Sequence, residues 1–322
     1  MPKVSIIIPL YNKVDYITET IQSVLSQIYL DWETIVVDNA STDGSWEKAQ
    51  QIQDPRLRFL QSPKRGPGAA RNYGLASSRG EWVQFLDADD LLEPDHLEQQ
   101  LAAAQKNPDA EIIACCWQEF TARNPDIRIL KTPAGFGQPI QVLRDAAVAF
   151  APWAVHAALV KHSALSSDFY WPEELDQYLG EDIAFWFKLI SKYNVVYGTS
   201  QGALYRTQTA CCRTQRFNPQ KWFEGVHTAI QKNLDYIADE KQKITSAKSE
   251  HLMRAYSSIY LLACAKKSQE IQQRSLVEAS QWLNQYFQRG DQLNVSMIIR
   301  RCLGLKLFLQ LVNLGMKTIS NR

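Results

Sequence analysis

The stretch FLDADDLLEPDHL, residues 85–97, places Asp87, Asp89 and Asp90 within four positions, directly after a run of apolar residues. Two carboxylates about 5 Å apart repel by roughly 3 kcal/mol at an effective dielectric of ~20, so positive charge has to stand close to them. Hard oxygen donors clustered on a short turn, with no His or Cys among them, suit Mg²⁺ or Mn²⁺ held jointly with substrate phosphates. The plain structural alternative is that Asp87 caps a strand end and Asp89 or Asp90 opens the helix containing His96, Leu97 and Leu101. A second acidic pair, Glu181 and Asp182 in LGEDIAFWFKLISKY (179–193), falls at the start of a helix whose Ile183, Phe187 and Ile190 can face a core. Acids there complement the helix dipole whatever else they do.

The elements around these acids read as an α/β fold. VSIIIP (4–9) is a continuous β-branched run, as expected for a strand covered on both faces of a parallel sheet. Ile17, Ile21, Val24 and Leu25 then share one helical face, and WETIVVD (32–38) is a second strand ending in an acid. STDGSWEKAQQIQ reads as a polar turn and a short helix, RLRFL (56–60) as a third strand, GAARNYGLASS as a helix and EWVQFLD (81–87) as a fourth strand. Strands alternating with helices predict a doubly wound, mostly parallel sheet, in which ligands bind outside the carboxyl ends of the strands. Those ends are Pro9-Leu10-Tyr11-Asn12, Asp38-Asn39 and Asp87-Ala88-Asp89-Asp90, so aromatic, amide and acidic groups converge on one rim.

Composition bounds the partners. The chain has 322 residues, 45% of them hydrophobic and 21% charged, enough for a large core with an appendage. A formal net charge of +1 lacks the basic excess of nucleic-acid binders, so no nucleic acid is expected. The N-terminal apolar run ends at Pro9, too early for a signal peptide, and the expected location is cytoplasmic. Six cysteines, including the vicinal pairs Cys115-Cys116 and Cys211-Cys212, show neither zinc nor CxxC spacing and read as buried reduced thiols.

Four separated motifs, in order, resemble glycosyltransferase family 2, nucleotide-sugar-dependent and mostly inverting enzymes of the GT-A fold. The likeness runs from Val4 to about Arg206 and rests on VSIIIPLYN, WETIVVDNASTDGS, GPGAARNYGLASSRGEWVQFLDADD and GEDIAFWFKLI. It implies a nucleotide-binding set of Pro9, Tyr11, Asn12, Asp38, Arg71 and Asp87. Tyr11 would lie against the base, Asp38 would accept from a ring N–H, and Arg71 would approach the diphosphate. Uracil is favoured, although thymine and guanine offer the same ring N–H. Asp89 would ligate Mn²⁺ or Mg²⁺ directly, with Asp87 reaching the ribose or metal through water. Asp43 matches a second acid of the Asp38 loop, where stabilising the turn is at least as good a reading. Asp182 resembles the general base that takes the proton from the attacking hydroxyl, and Glu181 is the competing assignment. Trp153 and His156 are candidates for acceptor binding, with edge packing as the alternative. After Arg206 the family often carries a His, but Gln208 stands there, leaving a third protein ligand to the metal open.

Beyond about Phe217 the resemblance ends. Segments 219–239, 246–267, 271–288 and 295–319 read as helices without a catalytic pattern. The last carries Arg300, Arg301, Lys306 and Lys317 with no acid. It is too interrupted by charge for a membrane span; peripheral contact with the inner face of a membrane and dimerising are two readings, and packing back on the catalytic domain is the preferred one. The expected organisation is a nucleotide-sugar-binding half (1–110), an acceptor and catalytic half (111–216) and a helical C-terminal region (217–322). The resulting expectation is a metal-dependent inverting glycosyltransferase of hexosyltransferase type, with a UDP-sugar favoured as donor and a glycan or lipid-linked acceptor, serving polysaccharide, glycolipid or cell-envelope glycan synthesis. The alternatives are a non-catalytic nucleotide-sugar-binding relative, which intact Asp38, Asp89 and Asp182 argue against, and a nucleotidyltransferase, whose Gly-rich first loop is replaced here by PLYNKVDY.

Overall fold

Alternate residues of the first strand, β1 (Val4–Leu10), belong to two different cores: Ile7 to one, and Val4, Ile6, Ile8 and Leu10 to the other. A strand can do this only at the centre of a sheet covered on both faces, which is what its unbroken apolar run implies. The computed structural model describes residues 1–209, 218–240, 243–290 and 294–320. The larger sheet contains β1, β2 (Trp32–Asp38), β3 (Leu57–Gln61), β4 (Trp82–Phe85), β6 (Ile112–Ala114), β9 (Ala158–Lys161) and β10 (Val195–Tyr197), in the spatial order β10-β6-β9-β4-β1-β2-β3. All pairings are parallel except those of β9 with β4 and β6. The register sets Leu10 beside Asp38 and Ile7 beside Phe85, so the carboxyl ends of β1, β2 and β4 reach one edge together.

Helices α1 (Ile17–Leu25), α2 (Ser45–Gln50), α3 (Pro67–Ser77) and α4 (His96–Lys106) connect these strands, with α5 (Ile140–Ala147) and α6 (Glu181–Lys192) following. A second sheet, β5-β11-β7-β8, combines β5 (Leu91–Leu92), β7 (Trp117–Thr121), β8 (Asn124–Lys131) and β11 (Ala203–Thr207). Neither Asp89 nor Asp90 opens α4: the acidic turn runs into β5, which pairs Leu91 with Leu204, and the residue before α4 is Asp95.

The C-terminal region is α7 (Pro219–Asp239), α8 (Ser246–Ala265), α9 (Gln269–Arg289), α10 (Val295–Leu303) and α11 (Leu305–Ser320). The single helix expected over 295–319 is broken at Gly304, whose φ of 76° favours glycine. Among the described residues no helix is long and apolar enough to cross a membrane. Ile230, Tyr256 and Tyr286 of these helices join the same core as Phe85 and Trp186. Asn233 donates to the Val148 carbonyl at 3.0 Å, and the buried Lys248 pairs with Asp145 of α5 at 2.9 Å. Cys115 and Cys116 are buried as expected, whereas Cys264 is half-buried and Cys302 exposed; Cys211 and Cys212 lie outside the described residues.

Helix α7 approaches the start of α6 through Gly225. A Cβ there would stand 1.9 Å from the carbonyl oxygen of Leu179, two residues before Glu181, and a backbone atom cannot swing aside. Gly225→Ala is therefore expected to cost about 1–3 kcal/mol of stability as overpacking. Urea unfolding would measure it, and an unshifted midpoint would show that α7 can retreat freely from that loop.

Candidate active site

The rim is assembled from the loops after β1, β2 and β4 and from the start of α6. Asn12, at a positive φ of 51°, receives the Thr42 N–H on its Oδ1 at 2.8 Å, which fixes the first loop to the second. Pro9 is half-buried near the end of β1 and Tyr11 is exposed. Asp38 is buried at the end of β2, where Oδ1 accepts the Ser41 N–H at 3.2 Å. Asp43 accepts from the backbone N–H of Val14 and from both N–H and hydroxyl of Ser45, which gives it a turn-building role.

The crowded turn finds its positive charge in the protein itself, at three separate partners. Asp87 Oδ1 accepts from Arg71 Nη2 at 2.7 Å. Partial burial works to raise the Asp87 pKa, but the guanidinium overrides it and holds the carboxyl below its ordinary range. Asp89 Oδ2 receives Lys13 Nζ at 2.5 Å and the Thr209 hydroxyl at 2.8 Å. Asp90, fully inside, takes the Arg206 backbone N–H at 2.7 Å, and its other oxygen stands 3.2 Å from His156 Nδ1. Arg206 also clamps the turn by donating Nε to the Asp89 carbonyl at 2.8 Å and Nη2 to Glu19 at 2.6 Å, with Tyr16 and Phe120 on its faces.

Helix α3 joins this turn to the acids of α6. Arg71 is buried, lies 4.3 Å over the Trp171 ring and stands 3.7 Å from Glu181 Oε1 through Nη1. Next to it, Asn72 exchanges two hydrogen bonds of 2.9 Å with the backbone of Trp171. Asp176 accepts from the Gly68 and Ala69 N–H groups at 2.7 and 3.0 Å, so the open N-terminus of α3 is capped by the segment leading to α6. At Gly66 a side chain would collide with this carboxylate. Asp182, half-buried beside the buried Glu181, accepts the Ile183 N–H at 2.9 Å.

Two expected acceptor residues sit elsewhere. Trp153 is 3% exposed and packs edge-on against Trp186, and His156 is wholly buried behind Asp90. Both are buried, and His156 lies in the short turn 155–157 that leads into the interior strand β9. Conversely, Lys13, Thr209 and Asp176 escaped the sequence reading. Lys13 had a signal, since it is the cation in the first rim loop; the other two are joined to the site only by tertiary contacts.

The donor chemistry suits a divalent cation. Among the described residues no three His, Cys, Asp or Glu side chains form a metal nest of their own, so Asp87 and Asp89 would need substrate oxygens to complete a shell, as Mg²⁺ or Mn²⁺ with a diphosphate provides. The buried Nε and Nη1 of Arg71 have no hydrogen-bond acceptor, which leaves donor capacity beside the same carboxylates.

Comparison with known proteins agrees with this layout. Residues 5–156 match the family described as Glycosyl transferase family 2. TuaG of Bacillus subtilis, named for teichuronic acid biosynthesis, is 44% identical over 103 residues, 31% of this chain and 41% of TuaG. The chain spans from 18% to 42% of the length of the curated relatives it matches. S. aureus TarS 1-349, solved in complex with UDP-GlcNAc, superposes with a TM-score of 0.59 at 20% identity, covering 86% of this chain and 91% of that one. The mannosyltransferase PcManGT from Pyrobaculum calidifontis, solved with GDP-Man and Mn²⁺, gives 0.54 at 21% identity, covering 97% and 87%. These likenesses show the α/β GT-A-like fold, with mixed sheets and a helical C-terminal region.

Burial pushes Asp90 up to about 6, the charges of Asp89 and Asp87 adding to the rise and His156 opposing it. A carboxyl with a raised folded pKa keeps its proton longer in the folded chain. Its contribution to stability is therefore full below the ordinary value of 3.8 and lost as pH rises through about 6. Asp90→Asn keeps an acceptor for the Arg206 N–H and cannot ionise, so it is expected to flatten the fall in stability between those pH values. Urea midpoints across that window for both proteins provide the check; an identical fall in the variant would assign the titration to another group.

Proposed function

Because the chain belongs to Glycosyl transferase family 2, we propose that it transfers a sugar, with inversion, from a nucleotide diphosphate to an acceptor hydroxyl in the synthesis of a polysaccharide or cell-envelope glycan. The observation that carries the reading is Arg71, which draws Asp87 of the donor side and Glu181 of the acceptor side to one buried guanidinium at 2.7 and 3.7 Å. The relatives support the substrate class: TuaG is named for teichuronic acid biosynthesis, and the two solved neighbours hold UDP-GlcNAc and GDP-Man. UDP is the favoured carrier, although guanine offers Asp38 a ring N–H as well as uracil does.

In this reading the exposed ring of Tyr11 receives the base. Asp38 accepts the ring N–H with lone pairs that its single bond to Ser41 leaves over. Mn²⁺ or Mg²⁺, held by Asp89 and Asp87 together with the diphosphate, would supply Lewis-acid charge to the leaving group. Lys13 and Arg71 add fixed positive charge on the same side, and Arg71 keeps Asp87 ionised and oriented. On the far side of the sugar the acceptor oxygen forms its bond to the anomeric carbon as the bond to the diphosphate breaks, and the hydroxyl proton passes to Asp182. Glu181 is committed to Arg71 and buried, which supports a positioning role for it and proton transfer by the half-buried Asp182.

Two experiments test the proposal. UDP and Mn²⁺ together are expected to raise thermal stability beyond the sum of their separate effects, the whole stabilisation by a ligand at about 100-fold excess over Kd being roughly 2.7 kcal/mol. Asp89→Ala should remove that synergy, and its survival would return the turn to a purely structural role.

The second concerns rate. Asp182→Asn is expected to lower kcat by about 10²- to 10⁴-fold with little change in donor Kd, since the residue faces the acceptor. Nucleoside diphosphate release across UDP-, GDP- and TDP-sugars gives both the assay and the donor. A kcat near wild type would remove Asp182 as the base, and a larger loss in Glu181→Gln would transfer the role to Glu181.

A further inference from the structure

Helix α10 is turned inside out for a helix at a water-facing surface. Its inward side carries Met297, fully buried, and the half-buried Arg300, which lies over Phe308 at 4.6 Å, while Arg301 lies over Phe287 at 4.4 Å and stays exposed. Its outward side carries Val295, Ile298, Ile299 and Leu303, at the i, i+3, i+4 and i+8 spacing of one helical face. Leu307 and Leu311 continue the apolar display on α11, while Leu305 and Leu309 supply that helix's inward contacts. The six outward side chains are 39–72% exposed. Scattered surface leucines need no explanation, but a contiguous stripe on two successive helices marks a surface that meets something apolar.

The charge pattern selects the occupant. Residues 294–320 contain Arg300, Arg301, Lys306 and Lys317 and no Asp or Glu. A second copy of this face would bring like charges together, whereas an anionic bilayer offers apolar chains for the stripe and negative headgroups for its basic flanks. Helix α11, with 16 residues, is about 24 Å long, short of a bilayer's hydrocarbon core of about 30 Å, which suits a helix that lies on the surface. Beside the turn at Gly304 a shallow cleft of about 560 Å³, walled by Leu276, Leu303, Leu305 and Leu307, opens next to Lys306.

We propose that α10 and α11 form a membrane-docking surface that inserts the Val295–Leu311 stripe among the acyl chains of an anionic leaflet. None of the residues of this surface belongs to the sugar-transfer site. Flotation of the full chain with vesicles of phosphatidylglycerol and phosphatidylcholine in equal parts should carry the protein upward at low salt and less at high salt, with pure phosphatidylcholine vesicles carrying little. The double variant Leu307→Glu with Leu311→Glu, at solvent-facing positions, should lose flotation while keeping the wild-type melting temperature. Lys306→Gln is expected to weaken partition about fivefold. No flotation with acidic vesicles overturns the proposal. So does lipid-independent dimerisation in sedimentation that the same double variant abolishes, since it would make a second copy the occupant.

Discussion

A single buried guanidinium sets the distance between the two halves of the site. Moving Arg71 out of water is unfavourable by several kcal/mol unless its charge is matched. Asp87 on one side, Glu181 on the other and the Trp171 face beneath supply the match. The three partners come from the end of β4, the start of α6 and the loop between, so their relative positions are fixed wherever the arginine is satisfied. Helix α3 repeats the tie twice more, through Asn72 to the Trp171 backbone and through its N-terminal N–H groups to Asp176. It acts as a spacer between the carboxylates of the acidic turn and the α6 acids. Those acids lie beyond residue 156, where the family match ends.

The acidic turn shows how one short segment can hold three carboxylates in different states. Asp87, beside a guanidinium, is held ionised; Asp90, buried beside two other acids, keeps its proton to an unusually high pH. Asp89 lies between them in exposure, with a lysine that a competing cation could displace. Placing titratable groups in divergent environments is how a protein assigns them different roles. Here the divergence comes from depth: Asp90 points into the interior toward His156, while Asp87 and Asp89 stay at the rim.

What could be read in advance follows from how local the cause is. Strands β1 and β2 were legible because burial on both faces writes a continuous apolar run, and α7 because Asn218 and Pro219 mark a helix start that the structure uses, with Asn218 accepting the Lys221 N–H. The second sheet was not legible: β5 has two residues, and β8 is exposed along nearly its whole length. Gly304 carried an available signal for a helix break that the helical spacing of the apolar residues on either side concealed. The pairing of Lys13 with Asp89 joins residues 76 positions apart, so the sequence displayed the need for positive charge without displaying its source. Trp153 and His156 have side chains suited to sugar, but residue type does not encode depth, and both are inside.

The helical third of the chain is part of the machinery that positions Asp182 rather than a detachable appendage. Gly225 lets α7 touch the Leu179 carbonyl at the entrance to α6, and the same helix bonds to Val148 through Asn233. Helix α8 contributes Lys248 to the buried Asp145 of α5, and α5 packs on α6 in turn. A buried ion pair of this kind is weak evidence for net stability, but losing either partner strands a charge. The start of α6 is thus held from below by Arg71 and from behind by residues more than forty positions downstream. A fragment ending with β11 would keep Asp87, Asp89, Arg71 and both acids of α6 and lose the helices that pack behind the start of α6.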